Sequence, residues 1–294
     1  MLRWLKRALW TLLAFLAVAG LAGFVYQNVA TSRDQARFHP PGRMIDIGGG
    51  RRLNINCQGS GSPIVILESG LGVPSTVWAR VLDGVKPLTR VCTYDRAGYG
   101  YSDAGPMPRT TDAIVGDLEK LLPAAGENGP YLLVGHSFGG FTIRVFTARH
   151  RSDVAGMIFV DSSHPEQAQR VPAAVRRKQI MLNWASQPIP WLCRIGVVRA
   201  AYAWIGSPAE NTYLESQPKY TSAVISELNR SRSAVRKPAP RDLRSAISRS
   251  SFLPRGKRGR AIRPSTHCGE TSCSQSSSIY RRRGNRRSSK ARLI

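Results

Sequence analysis

The sequence predicts an α/β domain built on a mostly parallel β-sheet, tethered at its amino end by a membrane-spanning helix. Three observations predict it. The runs Ile64-Val65-Ile66-Leu67, Arg90-Val91-Cys92-Thr93-Tyr94, Tyr131-Leu132-Leu133-Val134 and Met157-Ile158-Phe159-Val160 are mainly apolar without strict alternation, as strands buried on both faces must be. Helical periodicity separates them, most plainly in Ile114, Leu118, Leu121 and Leu122 behind the capping candidates Thr110 and Thr111. Finally, Ala8 to Tyr26 is a nearly unbroken apolar run of 19 residues preceded by Arg3, Lys6 and Arg7.

Taken in order, that apolar run is long enough to cross a bilayer. An uncleaved anchor over residues 1–27 is favoured over a cleaved leader, whose apolar core would be shorter; Ala17-Val18-Ala19 is a poorly placed cleavage candidate. The basic residues before the span keep the first residues cytoplasmic and put the body of the chain on the outer face. Residues 28–42 are polar, end in Pro40-Pro41-Gly42 and read as a stalk. The core, 43–161, opens with a hairpin in which Met44–Ile47 and Arg51–Cys57 flank Gly48-Gly49-Gly50. No Lys-Ser/Thr pair or helix follows those glycines, which excludes a phosphate loop. Residues 162–230 are proline-broken and rich in tryptophan, with pieces such as Met181-Leu182-Asn183-Trp184 and Trp191-Leu192-Cys193 that read as a helical cap.

The net charge of +25 is unevenly placed. Residues 231–294 hold 18 Lys and Arg against only Asp242 and Glu270, a net of +16 that leaves +9 for the rest. This basic, low-complexity tail cannot bury a core and is expected to be disordered. Its arginines lack interleaved aromatics and its expected place is outside the membrane, so no nucleic-acid partner is expected. The five cysteines, Cys57, Cys92, Cys193, Cys268 and Cys273, have neither metal-site nor paired spacing. Cys57 and Cys92 read as small buried hydrophobes, and neither a metal nor a cofactor is implied.

Chemistry is carried first by Gly135-His136-Ser137-Phe138-Gly139, which lies between a strand and a helical pattern, the context in which G-x-S-x-G presents a serine nucleophile. Three further segments follow strands: Glu68-Ser69-Gly70-Leu71-Gly72, Asp95-Arg96-Ala97-Gly98-Tyr99-Gly100-Tyr101-Ser102 and Asp161-Ser162-Ser163-His164-Pro165. In order and spacing the four segments resemble the α/β-hydrolase superfamily, in its lipase, esterase and epoxide-hydrolase-like branch, over roughly residues 43–165. The resemblance implies a sheet of the α/β-hydrolase type with a helical cap, Ser137 as nucleophile, and the N–H groups of Leu71 and Phe138 as oxyanion donors. Asp95 and Arg96 are expected to fix their loop through hydrogen bonds rather than to act on substrate.

The chain departs from the family beyond about residue 236, where no apolar strand presents a histidine. The sheet is therefore expected to be incomplete at its C-terminal end. His267 is the one histidine downstream; His164 suits a cap hinge, and His39, His136 and His150 are poorly placed as bases. Asp161, at a strand end, is the candidate acid, with a turn-capping role as the alternative; Asp242 is weaker. Either the tail arises from a shift of reading frame near residues 231–240, or it is a genuine basic segment that binds anionic lipid or nucleic acid. The expected function is a membrane-anchored serine hydrolase acting on a small hydrophobic ester. The alternative is a catalytically impaired or truncated relative without the triad histidine.

Overall fold

The computed structural model describes residues 2–167 and 171–236. Among the described residues six strands, β1 (Arg43–Asp46), β2 (Arg52–Gln58), β3 (Ile64–Glu68), β4 (Val91–Tyr94), β5 (Tyr131–His136) and β6 (Val154–Val160), form one sheet in the order β1-β2-β4-β3-β5-β6. β3 to β6 pair in parallel, while β1 and β2 add antiparallel at one edge. The crossovers are α2 (Ala79–Val85), α3 (Thr111–Ala124) and α4 (Gly139–Arg149). Thr110 caps α3, its hydroxyl accepting from Ala113 N–H at 3.1 Å.

Every residue of β3 is buried, and its side chains divide between two layers because successive residues point to opposite faces. Ile64 and Ile66 join Leu118, Leu121, Leu122, Ile143 and Phe146 from α3 and α4. Val65 and Leu67 pack instead with Trp78 and Leu82, from the 3₁₀ turn Ser75–Trp78 and α2. The sheet is thus covered on both faces, as its continuous apolar strands require. Among the described residues β6 pairs with β5 alone, and it leaves Ile158, Phe159 and Val160 each 40% or more exposed.

Two expectations change. The segment expected to be an anchor is not separated from the expected stalk at residue 28: α1 runs as one helix from Leu2 to Arg37. Gly23, Gln27, Thr31 and Asp34 recur at helical spacing along its C-terminal half and face the cap, so residues 28–37 are held helical by packing. The cysteine reading also fails, because Cys57 and Cys92 form a disulfide. They are 35 residues apart in sequence but are register partners on β2 and β4, with Cα atoms 4.0 Å apart.

Among the described residues, the helices that follow the sheet are α5 (Ala173–Ser186), α6 (Ile189–Arg194), α7 (Val197–Trp204), α8 (Ala209–Glu215) and α9 (Pro218–Arg236). α9 packs on α6 and reaches the loops that follow β3 and β4. Residues 237–294, with His267, Asp242, Cys268 and Cys273, lie outside the described residues.

Candidate active site

β3 and β5 are neighbours, with Glu68 in register with Gly135, so the loops that leave their carboxyl ends emerge side by side. The chain runs from β3 to β4 on one side and then crosses back over β3 to β5. Such a reversal of strand order opens a crevice at the carboxyl ends. Ser137 stands there on the turn from β5 to α4, with φ +48°, a left-handed conformation that costs a non-glycine residue energy. Backbone hydrogen bonds hold the turn: Ser137 N–H donates to Val160 O at 3.2 Å, and Ser163 N–H donates to Ser137 O at 2.9 Å.

The flanking glycines are required by close approach. A Cβ placed on Gly139 would lie 2.6 Å from Glu68 O and 2.9 Å from Ser69 O. One placed on Gly135 would meet Gly139 C at 2.9 Å. The elbow therefore sits directly against the end of β3, and a Cβ on Gly70 would lie 3.3 Å from Ser137 Cβ.

The loop after β3 is fixed by a buried polar network. Arg96, 3% exposed, donates to Ser69 O at 3.0 Å and to Gly70 O, and pairs with Glu68 at 2.8 Å and Glu227 at 3.2 Å. Tyr99 Oη accepts from Gly72 N–H at 3.1 Å and donates to Glu227 at 2.8 Å, while Tyr220 Oη donates to Gly72 O at 2.7 Å. Tyr94 donates to Glu68. In a trans peptide the carbonyl and the following N–H point in opposite directions. Holding Gly70 O toward Arg96 therefore turns Leu71 N–H away from it. Among the described residues neither Leu71 N–H nor Phe138 N–H donates a hydrogen bond. Phe138 also precedes α4, where the helix dipole favours negative charge.

Charge in this network is tightly coupled. Burial pushes the Glu68 and Glu227 carboxyls up, and Arg96 works against that shift in both. Arg96 itself loses by burial, yet Glu227, Tyr99 and Glu68 more than restore it, so it is held firmly cationic. The Tyr94 and Tyr99 phenols are pushed far up, chiefly by burial and then by the neighbouring carboxylates Glu68 and Glu227. Asp95 has a separate role: its carboxylate accepts from Ser75 N–H at 2.9 Å, Asn54 Nδ2 at 2.9 Å and Tyr101 N–H at 3.2 Å. Both members of the Asp95-Arg96 pair thus brace loops.

Of the expected site residues, Ser137, Phe138 and the loop carrying Leu71 come together. Asp161 follows β6 beside the elbow, exposed and at φ +42°, without a hydrogen bond to any histidine among the described residues. Ser137 Oγ has no hydrogen-bond partner among them either. His164 accepts from Glu166 N–H at 3.2 Å, His150 pairs with Glu119 at 2.9 Å, and His136 packs edge-on to Trp78. Sequence reading passed over Glu227 and Tyr220. The available signal was their placement with Ala223 on one face of a helix, at intervals of three and four residues.

Residues 63–187 match the family model of the alpha/beta hydrolase fold. The Cif epoxide hydrolase from Acinetobacter nosocomialis superposes with a TM-score of 0.57 at 14% identity, over 72% of this chain and 74% of that one. The chain has the α/β-hydrolase fold. Among curated relatives of this α/β-hydrolase-fold chain, a probable transporter of Hormonema carpetanum is 35% identical over 159 residues, 52% of this chain and 23% of that protein. An AB hydrolase superfamily protein of Gibberella zeae is 34% identical over 113 residues, 37% of this chain and 35% of that protein. The chain spans half or less of the length of the first curated relatives it matches. A second solved structure, an aCif variant, superposes with a TM-score of 0.58 at 15% identity, over 78% of each chain.

Proposed function

We propose that the protein is a membrane-anchored serine hydrolase that cleaves a carboxylic ester through an acyl-enzyme on Ser137. The observation that carries this reading is a serine in a left-handed turn, in contact with a braced loop, where two backbone N–H groups have no acceptor among the described residues. Attack of Ser137 Oγ on the ester carbonyl places negative charge on the carbonyl oxygen, and Leu71 N–H and Phe138 N–H receive it. Each such donor contributes about 3 kcal/mol when it is held in place beforehand. A serine rather than an aspartate at the elbow favours acyl transfer over epoxide opening. Asp161 is the proposed acid, and His267, the one histidine downstream of it and of His164, lies outside the described residues. The anchor is α1, whose length and apolar composition suffice to cross a membrane, with the hydrolase domain on the outer face.

A second reading is favoured by one observation: among the described residues no histidine reaches Ser137 Oγ. Without a base the hydroxyl is a weak nucleophile. The chain would then be a catalytically impaired α/β-hydrolase-like protein. A fluorophosphonate reagent separates the two. Labelling that disappears in Ser137→Ala supports the enzyme, whereas a folded chain that takes up no label supports the second reading.

A further inference from the structure

The cap touches α1 at a level that belongs to the apolar run. Gly23 packs backbone to backbone on Ile195, and a Cβ on Gly196 would lie 2.9 Å from Tyr26 Cδ1 and 3.2 Å from Gly23 O. Above this contact Arg199, 5% exposed, donates to Gln27 Oε1 at 3.1 Å and pairs with Asp34, which fixes the direction in which the cap climbs the helix. The 19 apolar residues Ala8 to Tyr26 span about 28 Å at 1.5 Å per residue, close to the thickness of a hydrocarbon core. Gly23 is three residues inside the outer end of that run, hence about 5 Å below it. Ile195 and its apolar neighbours in the cap sequence are open: Trp191 is 66% exposed, Val197 48%, and Leu192 and Ile195 36% each. A soluble surface has no use for such a row next to a spanning helix. Arg194 lies over the Trp191 ring at 4.5 Å, the pairing of cation and aromatic that suits the headgroup boundary.

We propose that the edge of the cap formed by α6 and the turn into α7 sits in the outer interfacial layer of the bilayer, with Trp191, Leu192, Ile195 and Val197 against lipid. This rests on the reading of α1 as an anchor. The exposed residues lie within a few positions of Ile195 and Gly196, where Gly23 lets the backbones of the cap and α1 meet. The proposal adds a second membrane contact, made by the cap. α6 packs on α9, which hydrogen-bonds the loop beside Ser137, so the interface and the crevice are joined through one helix.

The test uses the full chain in phosphatidylcholine vesicles, with Trp4→Phe, Trp10→Phe, Trp184→Phe and Trp204→Phe, all at exposed positions, leaving the buried Trp78 and Trp191. Bromine on the upper acyl chains should quench most of the Trp191 emission, and adding Trp191→Phe should abolish the bromine effect while Trp78 stays bright. If the fourfold variant misfolds, Trp191→Phe alone in the natural chain should reduce the bromine-quenched share. Vesicle flotation separates the two readings. A chain that does not float overturns the anchor and this inference together; a chain that floats with Trp191 unquenched overturns this inference alone.

Discussion

Alanine at Gly139 puts one methyl group where the elbow meets β3. Its nearest neighbours would be Glu68 O at 2.6 Å, Glu68 Cγ at 2.8 Å and Ser69 O at 2.9 Å, and ordinary contact begins at 3.4 Å, so α4 and β3 must part by about 0.8 Å. Neither side can give way easily. Ser69 O and Gly70 O are held by Arg96, and the elbow is held by Val160 O and Ser163 N–H. Overpacking of this kind costs about 1–3 kcal/mol. Gly116, in the middle of α3, is the control: its nearest neighbour would be Glu119 Oε2 at 4.0 Å, and alanine in a helix interior gains about 0.5–1 kcal/mol over glycine. The same substitution should therefore carry opposite signs at the two positions. Urea unfolding of the full chain in detergent, followed by tryptophan emission, measures both. Gly139→Ala should lower the midpoint and Gly116→Ala raise it. Equal effects at the two sites, or a neutral Gly139→Ala, would refute the close packing of elbow on strand from which the site has been built.

Other expectations follow from the buried network and from Ser137. Arg96→Lys keeps the charge but loses the planar fork that holds two carbonyls and two carboxylates, and should cost about 1–3 kcal/mol while speeding hydrogen exchange at the Leu71 and Gly72 amides; unchanged exchange would detach Arg96 from that loop. Glu227 has its carboxyl raised above the usual 4.5 in the fold, so its contribution to stability is complete below 4.5 and is lost as pH climbs through the raised value. Glu227→Gln removes that loss, and the melting temperature of the variant minus that of the parent should rise between pH 4.5 and pH 7; a flat or falling difference would contradict the sign. Ser137→Ala should abolish fluorophosphonate labelling while leaving the melting temperature within a few degrees, because the hydroxyl has no hydrogen bond among the described residues.

Local signals in the chain determined the strand runs, the helix behind Thr110, the elbow at Ser137 and the apolar span, since each depends on neighbours a few residues apart: side-chain period, capping, turn chemistry. The order of segments after the strands was enough to imply the α/β-hydrolase fold. Packing decided the rest. That Cys57 faces Cys92 is a matter of β2 and β4 register across 35 residues of intervening chain, and no spacing rule contains it. Residues 28–37 are helical because Gln27, Thr31 and Asp34 find Arg199 some 165 residues away or more, a partner invisible to local composition. Likewise Glu227 acquires its place beside Arg96 and Tyr99 only when α9 folds back over the loops after β3 and β4. A short-range pattern can announce which backbone turns are made, but burial of charge and the aim of an N–H depend on what the remainder of the chain brings against them.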